Sequence, residues 1–188
     1  MYIKLFLILA GSGLALLLLG SAVLASERAE PQAVIQPTPD QVRPQSCQYY
    51  PNGLLKHCQL EEDFEFHGLV IPSKSILFFH REGWLAQCYF HRNLEVNCCP
   101  CNGGFGKHIT TRFHPNGSLA SCFLTRKTMI QGYPCKKTHQ QSNPTRFHPG
   151  GELHRFTLST EFTIEGTIYP RGTRITLDEQ GKLVSAGE

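Results

Sequence analysis

The sequence lacks an excess of charge of either sign. Its 18 Lys and Arg residues stand against 15 Asp and Glu residues, a formal net charge of +3, and the basic residues are scattered along the chain. A nucleic-acid-binding surface needs a concentrated basic patch. We therefore expect a mixed, solvated surface and no nucleic-acid partner.

The chain also lacks long helical patterns after its N-terminus and a recognisable catalytic set. Short runs rich in Phe, Leu, Ile and Thr stand where helices would show a longer period. No Ser/His/Asp arrangement stands out, and no His directly follows Cys101, which excludes the covalent haem motif. These absences favour an all-β protein that is not an enzyme and has no cofactor.

The N-terminus has the pattern of an export signal. A short basic start, Met1 to Lys4, precedes the apolar run Leu5–Ala25. The small residue before Ser26 favours a cleaved signal peptide over residues 1–25, whereas a run of this length also suits a hydrophobic helix that anchors the chain in a membrane. Either alternative exports the remainder to the periplasm or the extracellular space.

Two further segments follow the signal. Residues 26–46 contain four prolines among Gln, Glu and Thr and almost no large apolar side chains. This composition predicts an extended, disordered linker. Residues 47–188 show no further change in composition, and their length suits one β domain with its own core.

The domain contains an internal repeat marked by turn glycines. The glycines recur at steps of 30, 34, 34 and 30 residues: Gly53, Gly83, Gly117, Gly151 and Gly181. An aromatic residue precedes four of them by four positions, which predicts buried rings at Tyr49, Phe79, Phe113 and Phe147. Fifteen residues after the turn, a second glycine appears in three repeats, and Cys98 replaces it in another. Periods of this size indicate stacked supersecondary units.

Each repeat has the residues of short strands joined by tight turns. Pro-Asn-Gly, Pro-Gly-Gly and Glu-Gln-Gly bound the apolar runs, and Gly and Asn accept the positive φ of a hairpin turn. We predict three strands per repeat, which in the third repeat are about residues 108–113, 118–124 and 128–135. This makes about 12 to 14 strands in all, more than an open sheet usually holds without curling. The apolar spacing changes parity within the second strand, which predicts a one-residue bulge there.

The resulting fold prediction is an all-β antiparallel meander of about four and a half repeats. A β-solenoid is the alternative, and a propeller is disfavoured because its blades need four strands. A single sheet with one apolar face would leave that face exposed to solvent. We therefore expect curvature, cover from the linker or a homo-oligomer formed through this face.

Eight cysteines in an exported chain of this size predict structural disulfides. They are Cys47, Cys58, Cys88, Cys98, Cys99, Cys101, Cys122 and Cys135. In the predicted meander, equivalent residues such as Cys88 and Cys122 lie three strands or roughly 14 Å apart, too far for the Cα separation of about 7 Å that a disulfide allows. A solenoid would bring them to about 5 Å, so the connectivity separates the two folds.

The segment Cys98-Cys99-Pro100-Cys101 contains a C-x-x-C spacing, which is typical of zinc sites and of thiol exchange. Cys98 and Cys101, with His108 and Cys135 as further ligands, form the candidate metal site. The segment has no second pair and no βαβ setting. Structural disulfides are therefore favoured, and the metal or redox role is the alternative.

Three histidines, His80, His114 and His148, share the position three residues before the turn glycine. The equivalent residues in the other repeats are Tyr50 and Asp178. Metal ligands must converge on one point, and a position that accepts Tyr and Asp is more simply an exposed residue before a turn. We interpret this column as structural.

The stretch from Phe113 to Gly132 combines an aromatic residue, Asn-Gly, a leucine two residues later and a second glycine. This pattern resembles the MORN-type repeats, especially the bacterial variant with Tyr-x-x-Asn-Gly-x-Leu, and the resemblance covers most of residues 47–188. It implies hairpins that add into an elongated antiparallel sheet. It also implies an interaction or membrane-associated module rather than a catalyst.

The sequence therefore predicts an exported, non-enzymatic repeat module at the cell envelope. Its exposed strand face would bind a protein or a surface polymer, and residues 5–25 would tether it if they are retained in the membrane. The alternative is a metal-binding or thiol-redox protein that uses Cys98, Cys101, His108 and Cys135.

Overall fold

The computed structural model describes residues 34–104, 109–138 and 143–187. The predicted signal peptide or hydrophobic helix and residues 26–33 of the predicted linker lie outside these ranges, as does His108. Within the described ranges, no helix is long and apolar enough to cross a bilayer.

The described residues are mostly short strands. In chain order the strands are β1 (Gln48–Tyr49), β2 (Leu55–Gln59), β3 (Phe64–Phe66), β4 (Leu69–Ile71), β5 (Ile76–Phe79), β6 (Leu85–Tyr89), β7 (Leu94–Val96), β8 (Cys99–Cys101), β9 (Thr111–Phe113), β10 (Leu119–Cys122), β11 (Thr128–Ile130), β12 (Tyr133–Cys135), β13 (Thr145–Phe147), β14 (Leu153–Thr157), β15 (Phe162–Ile164), β16 (Thr167–Tyr169), β17 (Arg174–Leu177) and β18 (Leu183–Gly187).

Ten of these strands form one antiparallel sheet, which we call the main sheet. Its order is β1-β2-β5-β6-β9-β10-β13-β14-β17-β18, so the chain adds strands steadily from one edge to the other. The sheet is an open meander, as predicted, and not the alternative solenoid.

A bulge occurs in each pair of main-sheet strands that a tight turn connects. Phe79 pairs with Leu85 and Phe78 pairs with Gln87, which leaves Ala86 without a partner of its own. The same shift occurs in the pairs β1–β2, β9–β10, β13–β14 and β17–β18. The predicted bulge is confirmed, and it keeps the apolar residues on both sides of it facing the core.

The prediction of three strands per repeat is wrong. Between successive pairs of main-sheet strands the chain forms a separate short hairpin, β3–β4, β7–β8, β11–β12 or β15–β16. The predicted third strand, residues 128–135, is such a hairpin, because Gln131 and Gly132 take positive φ of 49° and 85°. Only Gly132 signalled this turn in the sequence, since a glutamine rarely takes positive φ.

The short hairpins cover the apolar face of the main sheet. Phe66 in β3 contacts Phe113 in β9 with ring centroids 5.3 Å apart, and Tyr133 in β12 contacts Phe156 in β14 at 5.2 Å. Both layers contribute to one continuous cluster of buried residues. The chain thus buries the apolar face of the main sheet with its own hairpins, and a homo-oligomer stays a prediction.

The ends of the main sheet are less well covered than its middle. Phe79, Phe113 and Phe147 are buried as predicted, but Tyr49 in the edge strand β1 is 61% exposed. Val184 in the opposite edge strand β18 is 63% exposed. An edge strand has neighbours on one side only, so the burial predicted for Tyr49 is wrong for a positional reason.

The described part of the predicted linker is ordered. Two short 3-10 helices, Pro39–Gln41 and Pro44–Ser46, flank the buried Val42, which bridges to Leu60. The side-chain amide of Gln36 donates to the carbonyl oxygen of Gly83 at 3.3 Å. Residues 34–46 therefore contact the β domain through Val42 and Gln36, and disorder of the linker outside these residues stays a prediction.

Candidate functional site

All eight cysteines are free thiols in this structure. Cys58 and Cys88 lie on either side of Leu77 in the main sheet. Two strand spacings separate them, about 10 Å, rather than the three expected from the sequence, and this still exceeds the limit of about 7 Å for a disulfide. Disulfide bonds among the eight cysteines stay a prediction.

Three of the thiols gather where the hairpin β7–β8 meets β10. The thiol of Cys122 hydrogen-bonds those of Cys101 and Cys99, and these bonds together with burial raise the pKa of Cys122 well above its ordinary value. Burial, with the nearby Cys99, raises the pKa of Cys135 to about 12. The thiolate is the form that attacks disulfides and binds metals, so a raised pKa favours the unreactive thiol form of these two residues. The hydrogen bond with Cys122 instead lowers the pKa of Cys99.

The structure does not bring the candidate metal ligands together. Cys98 is an exposed turn residue, whereas Cys101 and Cys135 are buried strand residues. In the part of the chain that the structure describes, no group of three His, Cys, Asp or Glu residues is arranged to hold a metal ion. The fourth candidate, His108, lies outside that part.

The residues before the turn glycines connect neighbouring pairs of strands. The Tyr50 hydroxyl donates to the carbonyl oxygen of Phe79 at 2.9 Å. His114 Nε2 lies 3.0 Å from the carbonyl oxygen of Phe147, and His148 Nε2 lies 3.0 Å from that of Leu177. A histidine and a tyrosine can both make this contact with a backbone carbonyl of the next strand pair, so the column has a structural role.

A different set of residues forms a row on the other face of the main sheet. Because side chains alternate along a strand, the neighbours of the core residues point away from the hairpins. One cross-strand row runs through all ten strands, and we call it the outer row: Gln48, His57, Phe78, Gln87, Arg112, Ser121, Arg146, Arg155, Thr176 and Ser185.

The outer row has an aromatic half and a basic half. Near its start, the ring of Phe78 contacts His57 at 5.6 Å and Tyr89 at 5.4 Å between centroids. Further along, Arg112 and Arg146 flank Ser121, each as its direct cross-strand partner. Three arginines that are far apart in the sequence, Arg112, Arg146 and Arg155, thus lie in one line on the sheet.

The arginines of the outer row have no acidic partners among the described residues. Arg146 and Arg155 pair directly across β13 and β14, an arrangement that destabilises a sheet through like-charge repulsion. Arg155 Nε donates to the Thr176 hydroxyl at 3.3 Å. The ion pairs in the described ranges join other residues, namely Arg43 with Glu61 and Arg126 with Glu95, and His80 Nδ1 lies 3.6 Å from the Glu82 carboxylate.

A groove of about 480 Å³ lies over the basic half of the outer row. Its lining includes Arg112, His114, Ser121, Arg146 and His154. Polar and cationic side chains thus surround a space large enough for several non-hydrogen atoms of a ligand.

Two imidazole rings border the same basic region. The rings of His148 and His154 stack with centroids 4.3 Å apart. Burial lowers the pKa of His154, and His148, Arg155 and Arg146 lower it further. On β17, the Nε of Arg174 is buried and has no hydrogen-bond partner within the described residues. A nearby anion would lower the free energy of each of these groups.

The expectation of an ordinary mixed surface is therefore wrong for this face. Two columns of the repeat form the outer row. One holds the residues five positions before each turn glycine and the other holds the residues four positions after it, and the two alternate from strand to strand. Arg112 and Arg146 belong to the first column and Arg155 to the second. The apolar columns were recognisable in the sequence as core positions, whereas the charge pattern of these polar columns becomes visible only once the strands are paired.

No protein-family model matches the chain, and the search of curated proteins found no match.

Proposed function

We propose that the protein is an exported, non-enzymatic interaction module at the cell envelope, which binds a protein or a surface polymer through its outer face. The observation that carries the proposal is the outer row, where three arginines lie in line without acidic partners in the described ranges. The opposite face is already occupied by the hairpins of the same chain. One face of the sheet is therefore left for a partner.

The other parts of this proposal come from the sequence. The run Leu5–Ala25 supports export and, if it is retained, a membrane tether. The MORN-like pattern and its repeat of 30 to 34 residues support a binding module. The alternative metal or redox function has weaker support, because no three metal-ligating side chains converge among the described residues and burial raises the pKa of Cys135.

The test is site-specific photo-crosslinking in the native cell. A photoreactive amino acid replaces Gln87 in the outer row of the full-length chain, and the matched control carries it at Met129, which is 62% exposed on the hairpin β11–β12. We expect crosslinks from position 87 and few from position 129. A sharp band identifies a protein partner, and a polydisperse smear identifies a polymer.

Equal crosslinking from the two positions, or crosslinking from position 129 alone, would refute the outer face as the binding surface. Turnover of a substrate by the purified chain in a broad activity screen would refute the non-enzymatic part of the proposal.

A further inference from the structure

We infer that the ligand of the outer face is an acidic polysaccharide. Arg112, Arg146 and Arg155 bind its carboxylate, sulfate or phosphate groups. This inference depends on the proposed function and specifies its partner. Arginine suits the task because its planar guanidinium presents several donors that match two oxygens of an oxyanion at once.

The spacing of the arginines fits an extended chain that crosses the strands. Neighbouring strands lie about 4.8 Å apart, so Arg112 and Arg146 are separated by about 10 Å and Arg155 lies one further strand along. The positive charge thus follows a line rather than surrounding a point. Such a line matches a polymer with anionic groups at regular intervals better than a single small anion.

The neutral residues between the charges fit a sugar chain. Ser121 lies between two arginines, Gln87 precedes them and Thr176 follows them in the outer row. Their hydroxyl and amide groups both donate and accept hydrogen bonds, as sugar hydroxyls do. The groove above Ser121 gives such a chain a recess in which to lie.

Two other polyanions fit this surface less well. Single-stranded nucleic acid is usually bound by aromatic platforms beside the cations, one for each stacked base. Here the aromatic side chains of the outer row, His57 and Phe78, lie on β2 and β5, at least two strands from Arg112. The phenylalanines that line the groove beside the arginines, Phe123 and Phe147, are buried and offer no exposed ring face to a base. A membrane surface is flat, whereas Arg112, Ser121 and Arg146 line a recess. The predicted export also places the chain among envelope polymers.

The test measures binding of the purified full-length chain to defined polymers. The probes are polygalacturonate and dextran sulfate, with uncharged dextran as the neutral reference. The test variant combines Arg112→Gln, Arg146→Gln and Arg155→Gln. The control variant combines Arg81→Gln, Arg92→Gln and Arg171→Gln, which removes the same charge from exposed positions elsewhere.

We expect the wild type and the control variant to bind at least one acidic polymer and not dextran. The outer-row variant should lose about tenfold or more in affinity, and the dependence of log K on log salt should become shallower by about one unit for each arginine removed. Thermal melting of each variant establishes that it is folded. As a second readout, the acidic polymer should raise the Tm of the wild type and not that of the outer-row variant.

Several results would overturn the inference. They are equal losses in the two triple variants, binding to uncharged dextran, no binding to either acidic polymer, and tighter binding to single-stranded DNA or to anionic lipid vesicles at the same ionic strength. Crosslinks from Gln87 combined with no polysaccharide binding would reject the ligand class and leave the outer face as a binding surface. If crosslinking from position 87 and binding to the acidic polymers are both absent, the proposed function is rejected as well.

Discussion

Single residues in this protein show where the fold tolerates a local cost. The turns of the short hairpins place two consecutive residues in the left-handed region, and three of them use glycine at the second position, with φ of 76° at Gly68, 85° at Gly132 and 79° at Gly166. The equivalent residue in the hairpin β7–β8 is Cys98, with φ of 61°. The exception noticed in the glycine column thus corresponds to a strained backbone position, since a side chain disfavours this conformation.

We predict that Cys98→Gly stabilises the protein by about 0.5–1 kcal/mol. Glycine avoids the roughly 1–2 kcal/mol that the left-handed conformation costs other residues. Its greater conformational freedom in the unfolded chain offsets less than about 1 kcal/mol of this stabilisation. Urea unfolding followed by fluorescence measures the change. The matched control is Gly132→Ala, which has open space for a methyl group and should lose about 1 kcal/mol through φ alone.

A loss of stability in Cys98→Gly under oxidising conditions, and not under reducing ones, would contradict this account. It would indicate that Cys98 forms a disulfide bond under oxidising conditions, as the cysteine count predicts.

At the scale of elements, the sequence predicted the main-sheet strands better than the short hairpins. Alternating apolar residues and the turn glycines located the pairs such as β5–β6, and the parity change located their bulge. The hairpins were missed because two of their turns place Gln131 or Glu165, residue types that rarely take positive φ, before the glycine, and a third turn has Cys98 in the glycine position. What fixes these turns is a contact made after folding, which no local pattern records.

Gln131 provides such a contact in the hairpin β11–β12. Its side-chain oxygen accepts from the backbone N–H of Leu153 at 2.8 Å, and its side-chain nitrogen donates to the carbonyl oxygen of Gly151 at 2.9 Å. Glu165, at the same place in β15–β16, accepts from the N–H of Leu183 at 3.2 Å. The hairpin turns are therefore fastened to the next turn of the main sheet.

We predict that Gln131→Ala lowers the free energy of unfolding by about 1–2 kcal/mol, because two hydrogen bonds are lost. Gln131→Glu should lose less, because a carboxylate keeps the acceptor for Leu153, as Glu165 does for Leu183. Met129→Ala, an exposed residue in the same hairpin, serves as the control and should change stability by less than about 0.5 kcal/mol. Chemical denaturation of the three variants tests this, and equal effects of Gln131→Ala and Met129→Ala would show that the fastening contact is unimportant.

At the scale of the whole molecule, the two faces of the main sheet have different roles. One face is paired with the hairpins and forms the core, and its apolar columns could be read from the sequence. The other face carries the outer row, whose chemistry depends on the cross-strand register. Register sets which of Arg112, Ser121, Arg146 and Arg155 become neighbours, so a sequence read along the chain shows scattered charge where the sheet has a line of it.

A face used for binding an anion should be suboptimal for stability when it is empty. Arg146 lies directly opposite Arg155, and such like-charge pairs cost a sheet roughly 0.2–1 kcal/mol. We predict that Arg146→Thr raises the free energy of unfolding at low salt by about this amount, since threonine also suits a strand. Salt screens repulsion between exposed charges, so the gain should shrink as ionic strength rises.

Denaturant unfolding at low and at high salt measures this difference, with Arg171→Thr at an exposed turn as a control that should change little at either ionic strength. A loss of stability in Arg146→Thr at low salt would mean that the arginine supports the free sheet, and the outer row would then need no ligand to explain it. A gain at low salt, accompanied by weaker binding to an acidic polymer, is the combination expected where a protein keeps charges together for the sake of binding. The same substitution thus separates a structural arginine from a binding one.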